Sequence, residues 1–383
     1  MIKSLFIATG LRMGGAQFAI FYMMQGLKKY GVEPHIIISQ PHLKYVNFIS
    51  RLIEKGVKIH MLKRVAFGGL LYWLIMAVTA LYTILKERID VLHANNPKNA
   101  FILGLLAKLT NRPLLYTVEG EPIYELEIAG MKRGLKKLII MILWYSSIRL
   151  ADVICPCSKW LGEVIKKNYP MIKDKVKPIH NPVDTERFCS KVEDESKIVI
   201  TVAALERVKS IDTLLKAVKI VLKEQPDVKF LIAGEGSLKG ELINLAHELG
   251  IDTNVNFIGF HPNVQELISK SIIGILPSIY EPFGMAAAEY GACGKPAIVS
   301  NAGGLKEIVV DGVTGFIFPK RNHEALAKAI LKLILNKELR KRMGIDAQNY
   351  VRKNFSVDAI AYKYSKVYFE LHWRNKHSSY TCS

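Results

Sequence analysis

The chain has 383 residues, 50% of them apolar, with 53 Lys and Arg against 34 Asp and Glu, a formal net charge of +19. At roughly 150 residues per domain this length makes two or three domains with full hydrophobic cores and excludes a disordered tail protein. The charge points to an anionic partner, whether nucleic acid, a membrane surface or a phosphorylated substrate. Residues 1–180 hold 26 basic and 11 acidic side chains (+15) and residues 181–383 hold 27 and 23 (+4), so the excess belongs to the N-terminal half.

The first ten residues carry one Lys and a short apolar run ending in Gly-rich sequence, which reads as a first strand rather than a signal peptide. Short apolar runs at 4–8, 34–39, 57–62, 89–94 and 114–118 alternate with helical patterns, the signature of a parallel α/β sheet. Residues 66–85 are uncharged and meet the length criterion for a membrane span. They also sit between two strands of one sheet, so a buried or half-exposed helix is expected. Residues 131–145 join the basic cluster Lys132, Arg133, Lys136 and Lys137 to an apolar run ending in Trp144 and Tyr145. That composition suits either a helix lying on an anionic membrane or a core helix with a solvated first turn. Cys155 and Cys157 form C-P-C, neither a disulfide framework nor a metal set, which fits a reducing cytosol.

A turn and polar linker run from His180 to Ser196, placing a domain boundary near 190. Beyond it the strand rhythm repeats at 198–203, 229–233, 256–259, 273–277, 297–300 and 315–318, a second α/β domain over 191–355. Glycine turns follow strands at Gly14-Gly15, Gly234 and Gly303-Gly304, where open α/β sheets bind ligands. None completes G-x-G-x-x-G with a later acidic residue, which disfavours a dinucleotide dehydrogenase. The segment 277–289 carries Glu281 at a strand end, Pro282 and Gly284 at a helix start, and Glu289 at most about 12 Å further along that helix. Carboxylates so spaced hold opposite ends of an elongated ligand, or else flank a helix start on the surface.

Here the chain resembles the retaining glycosyltransferases of family 4, whose GT-B fold pairs two facing Rossmann-like domains. Glu281 and Glu289 match the family's E-x7-E motif, and Gly303 to Val309 with Asp311 to Phe316 follow its wording. Gly14 to Gln17, His93, the Asn181–Asp184 turn and Glu186-Arg187-Phe188 fall in the expected places. The resemblance implies a sugar transferred from a nucleotide donor with retention, by a hexosyltransferase, and since no D-x-D pair occurs at a strand end no metal or other cofactor is expected. It further implies that Glu281, with the N–H groups of Phe283, Gly284 and Met285, contacts the donor sugar, that Glu289 binds ribose, and that Lys209 meets the diphosphate. Gly14, Gly15 and Gly234 would lie against the donor, and Asn263 would belong to the base-contacting turn. A C-terminal helix over 356–373 would return to the N-terminal domain, with a tail to 383.

Two positions depart from the family. Its phosphate-binding arginine is Ala204 here, with Arg207 a substitute three residues on, and Glu119 stands where a histidine usually lies beside donor and acceptor. The expected function is therefore a peripheral, cytoplasmic enzyme at the inner membrane face, extending a lipid-linked glycan or glycolipid such as a lipopolysaccharide. Its partners are a nucleotide-sugar, that acceptor and an anionic membrane, with no nucleic acid. A GT-B epimerase or phosphorylase, or an inactive sugar-nucleotide-binding homologue, is the alternative.

Overall fold

A computed structural model describes residues 1–8, 14–39, 46–62, 69–122, 124, 126, 134–189 and 196–378. Within them the chain forms two compact units, Met1–Pro182 with Val357–Ser383, and Val183–Ser356. The boundary expected near 190 falls on residues 190–195, outside the described residues, as do Lys132 and Arg133.

The first unit is built on a six-stranded parallel sheet in the order β3-β2-β1-β4-β5-β6. Its strands are β1 (Ile2–Ala8), β2 (Val32–Ser39), β3 (Lys58–Leu62), β4 (Val91–Ala94), β5 (Leu114–Val118) and β6 (Val153–Pro156). The central strands β4 and β5 are buried at every residue, whereas the edge strand β3 is buried only at Leu62. Such continuous apolar runs are what a sheet covered on both faces requires. Strand β6 was not expected. Its four residues end on Pro156, which is tolerated because it closes an edge strand.

The connections are α1 (Gly15–Leu27), α2 (Val46–Glu54), α3 (Leu70–Glu87), α4 (Pro97–Thr110) and α5 (Leu135–Leu150), with α6 (Lys159–Asn168) following β6. Right-handed crossovers place α1 and α2 on one side of the sheet. They place α3, α4 and α5, which all lead toward β6, on the other. Helix α4 starts cleanly because Asn96 accepts from the Asn99 N–H and Pro97 occupies its first turn. Of segment 66–85, the described residues from Leu70 on belong to the half-exposed helix α3, and no helix among the described residues is long and apolar enough to cross a membrane.

The second unit repeats the plan with the order β12-β11-β10-β7-β8-β9. Its strands are β7 (Ile198–Val202), β8 (Lys229–Ala233), β9 (Val255–Gly259), β10 (Ile273–Leu276), β11 (Ala297–Ser300) and β12 (Gly315–Phe318). Around them run α7 (Ile211–Glu224), α8 (Lys239–Glu248), α9 (Val264–Ser269), α10 (Met285–Ala292), α11 (Leu305–Ile308), α12 (His323–Leu335) and α13 (Lys337–Phe355). Helix α7 is strongly amphipathic, burying Leu214, Leu215, Val218 and Val221 in a core shared with Phe230, Ile232, Ile275 and Ile330.

The last helix, α14 (Val357–Ser378), belongs to the first unit, where Ile360, Ala361, Tyr364 and Tyr368 join its core. Contact with α1 is close enough that a Cβ on Gly26 would stand 2.6 Å from the Ala361 Cβ. In both sheets the strand order reverses direction next to the first strand, between β1 and β4 and between β7 and β10. The C-terminal strand ends at those points form a ligand crevice in open α/β folds.

Candidate active site

In the second unit three strand ends are stitched together. The turn after β7 is held to the turn after β8 by the Leu205 N–H to the Glu235 carbonyl (3.0 Å) and the Leu238 N–H to the Leu205 carbonyl (3.0 Å). Glu206 fixes the same junction, accepting from the Ser237 N–H (2.9 Å) and hydroxyl (2.6 Å). Only glycine fits at 234, since a Cβ there would lie 1.9 Å from the Ala203 carbonyl oxygen. On the other side, the Ile279 N–H donates to the Val208 carbonyl (2.8 Å), joining the turn after β7 to the segment after β10.

That last junction brings Lys209 to Glu281. Its ammonium donates to the Glu281 carboxylate at 2.6 Å, and the Ser278 hydroxyl donates to the same oxygen at 3.0 Å. Both charged side chains are mostly withdrawn from water, so the pair is less screened than a surface contact. Ser210, directly after Lys209, takes φ +49°, a left-handed conformation unusual for a side-chain-bearing residue.

Glu281 is braced from behind by the Gly304 N–H, which donates to its carbonyl (2.9 Å). The chain then turns through Gly284 at φ +112° into α10, so the first N–H groups of the helix, which have no acceptor within the helix, follow directly on the carboxylate. Phe283 is buried against the Phe355 ring, which orients this turn, and Met285 is the first helical residue. Glu289 lies on α10 itself, about one turn in and buried, and burial pushes its carboxyl up to about 8 against the opposing pull of Arg187. Arg187 also donates to Gln265 Oε1 (2.9 Å) and the Pro262 carbonyl (3.2 Å), next to Asn263, the exposed residue preceding α9.

Arg187 thus links Glu289 to the 262–265 turn, a role that reading the sequence did not assign. The turn motif that carries it was visible, but nothing local indicated which distant segment it reaches. Arg207 is exposed and opens elsewhere. Together with Asp212, Glu241 and Arg321 it lines a cavity of about 400 Å³ whose wall includes neither Lys209 nor Glu281.

In the first unit Gly14 caps α1 and Gly15 opens it, with the Gln17 side chain accepting from the Gly14 N–H (3.1 Å). Glu119 lies just past β5, and its carboxylate accepts from the Asn181 amide at 2.6 Å. Nearby Glu121, buried, accepts from the Tyr169 hydroxyl and the Tyr124 N–H, both at 2.6 Å. His93 is fully enclosed between Thr117 (2.7 Å) and Tyr368, and burial pulls its imidazole down to about 3, so it is neutral at pH 7. It ties α14 to β4 and β5 in the interior. Lys136 and Lys137 lie on the first turn of α5. No group of three His, Cys, Asp or Glu side chains that could hold a metal ion lies among the described residues.

Two parallel-sheet units of this topology make up the GT-B fold. The chain belongs to the family 4 type: the model of Glycosyltransferase Family 4 matches residues 13–187 and that of Glycosyl transferases group 1 matches residues 182–350. An uncharacterised glycosyltransferase of Methanocaldococcus jannaschii is 26% identical over 376 residues, 93% of this chain and 94% of its own length. N-acetyl-alpha-D-glucosaminyl L-malate synthase of Bacillus anthracis is 26% identical over 303 residues, 75% of this chain and 76% of its own. Among solved structures, Anabaena HepE in complex with UDP and glucose has the same fold at a TM-score of 0.79, with 19% identity, covering 96% of this chain and 99% of its own.

Proposed function

We propose that the protein transfers a hexose, with retention of configuration and without a metal, from a nucleotide-sugar to a lipid-linked glycan or glycolipid at the cytosolic membrane face. The observation that carries the reading is the Lys209–Glu281 contact at 2.6 Å beside the start of α10. A departing nucleoside diphosphate gains negative charge, and a fixed ammonium with aimed backbone N–H groups stabilises that charge without reorganisation. On donor binding Lys209 exchanges part of its bond to Glu281 for the diphosphate. Glu281 then turns its acceptor oxygens to the sugar hydroxyls, helped by the N–H groups of Phe283, Gly284 and Met285. Glu289 and Arg187 address the ribose and the base-side turn, with Gly234 and Asn263 along the way. Glu119 of the first unit serves the acceptor side.

The names of similar proteins support a nucleotide-sugar donor: Anabaena HepE is described with UDP-glucose. The decisive experiment is a donor screen across UDP-, GDP- and ADP-sugars with wild type and Glu281→Ala. Transfer should vanish in the variant while its circular dichroism is retained, and undiminished transfer would overturn the assignment of this site. A second reading, nucleotide binding without turnover, is favoured by Ala204, which leaves the turn after β7 one cation short. Nucleoside diphosphate binding without product from any donor would select it.

A further inference from the structure

We propose that the outer face of α3, α4 and α5 is a docking surface for an anionic phospholipid bilayer. The proposal rests on the reading of a lipid-linked acceptor for its purpose, and on the helix faces alone for its physics.

On α3, Leu71, Leu74, Val78, Tyr82 and Leu85 recur at steps of three and four, and all are exposed, Leu74 by 59% and Tyr82 by 61%. Met76, Ala80 and Ile84 of the same helix are buried, so the helix is apolar on both its inner and its outer side. Helix α5 repeats the arrangement, with Leu135, Leu138, Ile139 and Ile142 outward and Trp144 and Ile148 inward. Helix α4 packs against both and adds Leu105 and Leu109 to the exposed set. The inner stripes account for packing on the sheet. The outer ones form neighbouring apolar stripes on one layer, which a surface facing only water seldom keeps.

The charges around these stripes select the occupant. Helices α4 and α5 contain no Asp or Glu, and α3 has Glu87 alone, at its last residue. Exposed Lys86, Lys98, Lys108 and Lys136 stand among the apolar side chains. Lys98 lies 5.6 Å over the Trp73 ring and Lys86 5.3 Å over the Tyr82 ring. Cations joined to aromatic rings beside exposed leucines match the boundary between acyl chains and anionic headgroups. A second copy of the chain on this face would set cation against cation. A bilayer surface supplies both the apolar layer and the negative charge.

The test is sedimentation with vesicles of phosphatidylcholine, alone and with about 30 mol% phosphatidylglycerol as the anionic lipid. Wild type should bind the anionic vesicles and lose binding in high salt. Leu74→Glu with Val78→Glu on α3, and Leu138→Glu with Ile142→Glu on α5, should each weaken binding at least about tenfold, because a charge is placed in the apolar layer. These positions are exposed, and unchanged thermal unfolding would confirm that the variants fold. Lys86→Gln and Lys98→Gln should each weaken binding about fivefold. Indifference of wild type to the anionic lipid, or binding unaffected by both paired substitutions, would overturn the proposal. So would a concentration-dependent dimer abolished by the same substitutions, or retention by an acidic protein in place of vesicles. Failure here is separable from failure of the enzymatic reading. The α3 and α5 variants should bind UDP like wild type by calorimetry, and Glu281→Ala should bind vesicles like wild type.

Discussion

The two units share a sheet order and a crossover pattern but spend their side chains differently. The second unit, close to charge balance, buries a large apolar core and concentrates unusual chemistry at a few strand-end positions. The first unit carries most of the positive charge, leaves apolar stripes on α3 and α5 open to solvent, and encloses neutral polar side chains such as His93 and Thr117. The difference teaches that one architecture can serve either as a precise electrostatic cradle or as a broad adhesive surface. What decides is which helix faces and loops carry the charge.

The sharpest way to break the comparison is to remove the cradle's cation. Lys209→Met should lower kcat/KM by about 10²–10³-fold, the usual cost of one donor to a developing anion, while leaving the first unit untouched. A loss confined to KM would show instead that Lys209 binds ground state and transition state alike.

Next in size are backbone and packing changes, which should act on one unit each. Gly284→Val forces a branched residue to φ +112° and drives a Cβ to 2.5 Å from Leu305 Cδ2. It should cost the second unit about 2–4 kcal/mol, read as faster hydrogen exchange in its peptides. Gly26→Val, against Ala361, should loosen α14 from α1, with exchange rising only in peptides of the first unit.

The pH response should separate the units by sign. His93, with its folded pKa about 3 against the ordinary 6.5, gives the first unit stability that is present above 6.5 and is lost as pH falls through that window. Glu289, raised from 4.5 to about 8, gives the second unit stability that is present below 4.5 and is lost as pH rises toward 8. Each pH unit inside a window costs at most about 1.4 kcal/mol. Urea titrations from pH 5 to pH 9 should show the alkaline loss flattened in Glu289→Gln and unchanged in His93→Gln. The smallest effect is Tyr368→Phe, which removes the bond to His93 and should cost about 1 kcal/mol of first-unit stability by thermal unfolding.

The sequence by itself determined both sheets almost strand for strand, because buried parallel strands are short unbroken apolar runs bounded by turns: 114–118, 229–233, 297–300 and 315–318 appear at those bounds. It also picked out Glu281, Gly284 and Glu289, since a strand end, a glycine and a helix start follow one another there within a few residues. Strand β6 was missed because four residues ending in proline carry too little pattern. Tertiary structure alone decided what lies far apart in the chain. It set the Lys209 ammonium on the Glu281 carboxylate across 72 positions, and linked Arg187 with Gln265 across 78. It also fixed which side of α3 faces water. A periodic pattern tells that a helix has an apolar stripe, but a helix apolar all round reveals its open face only when the sheet and its neighbours have taken the other.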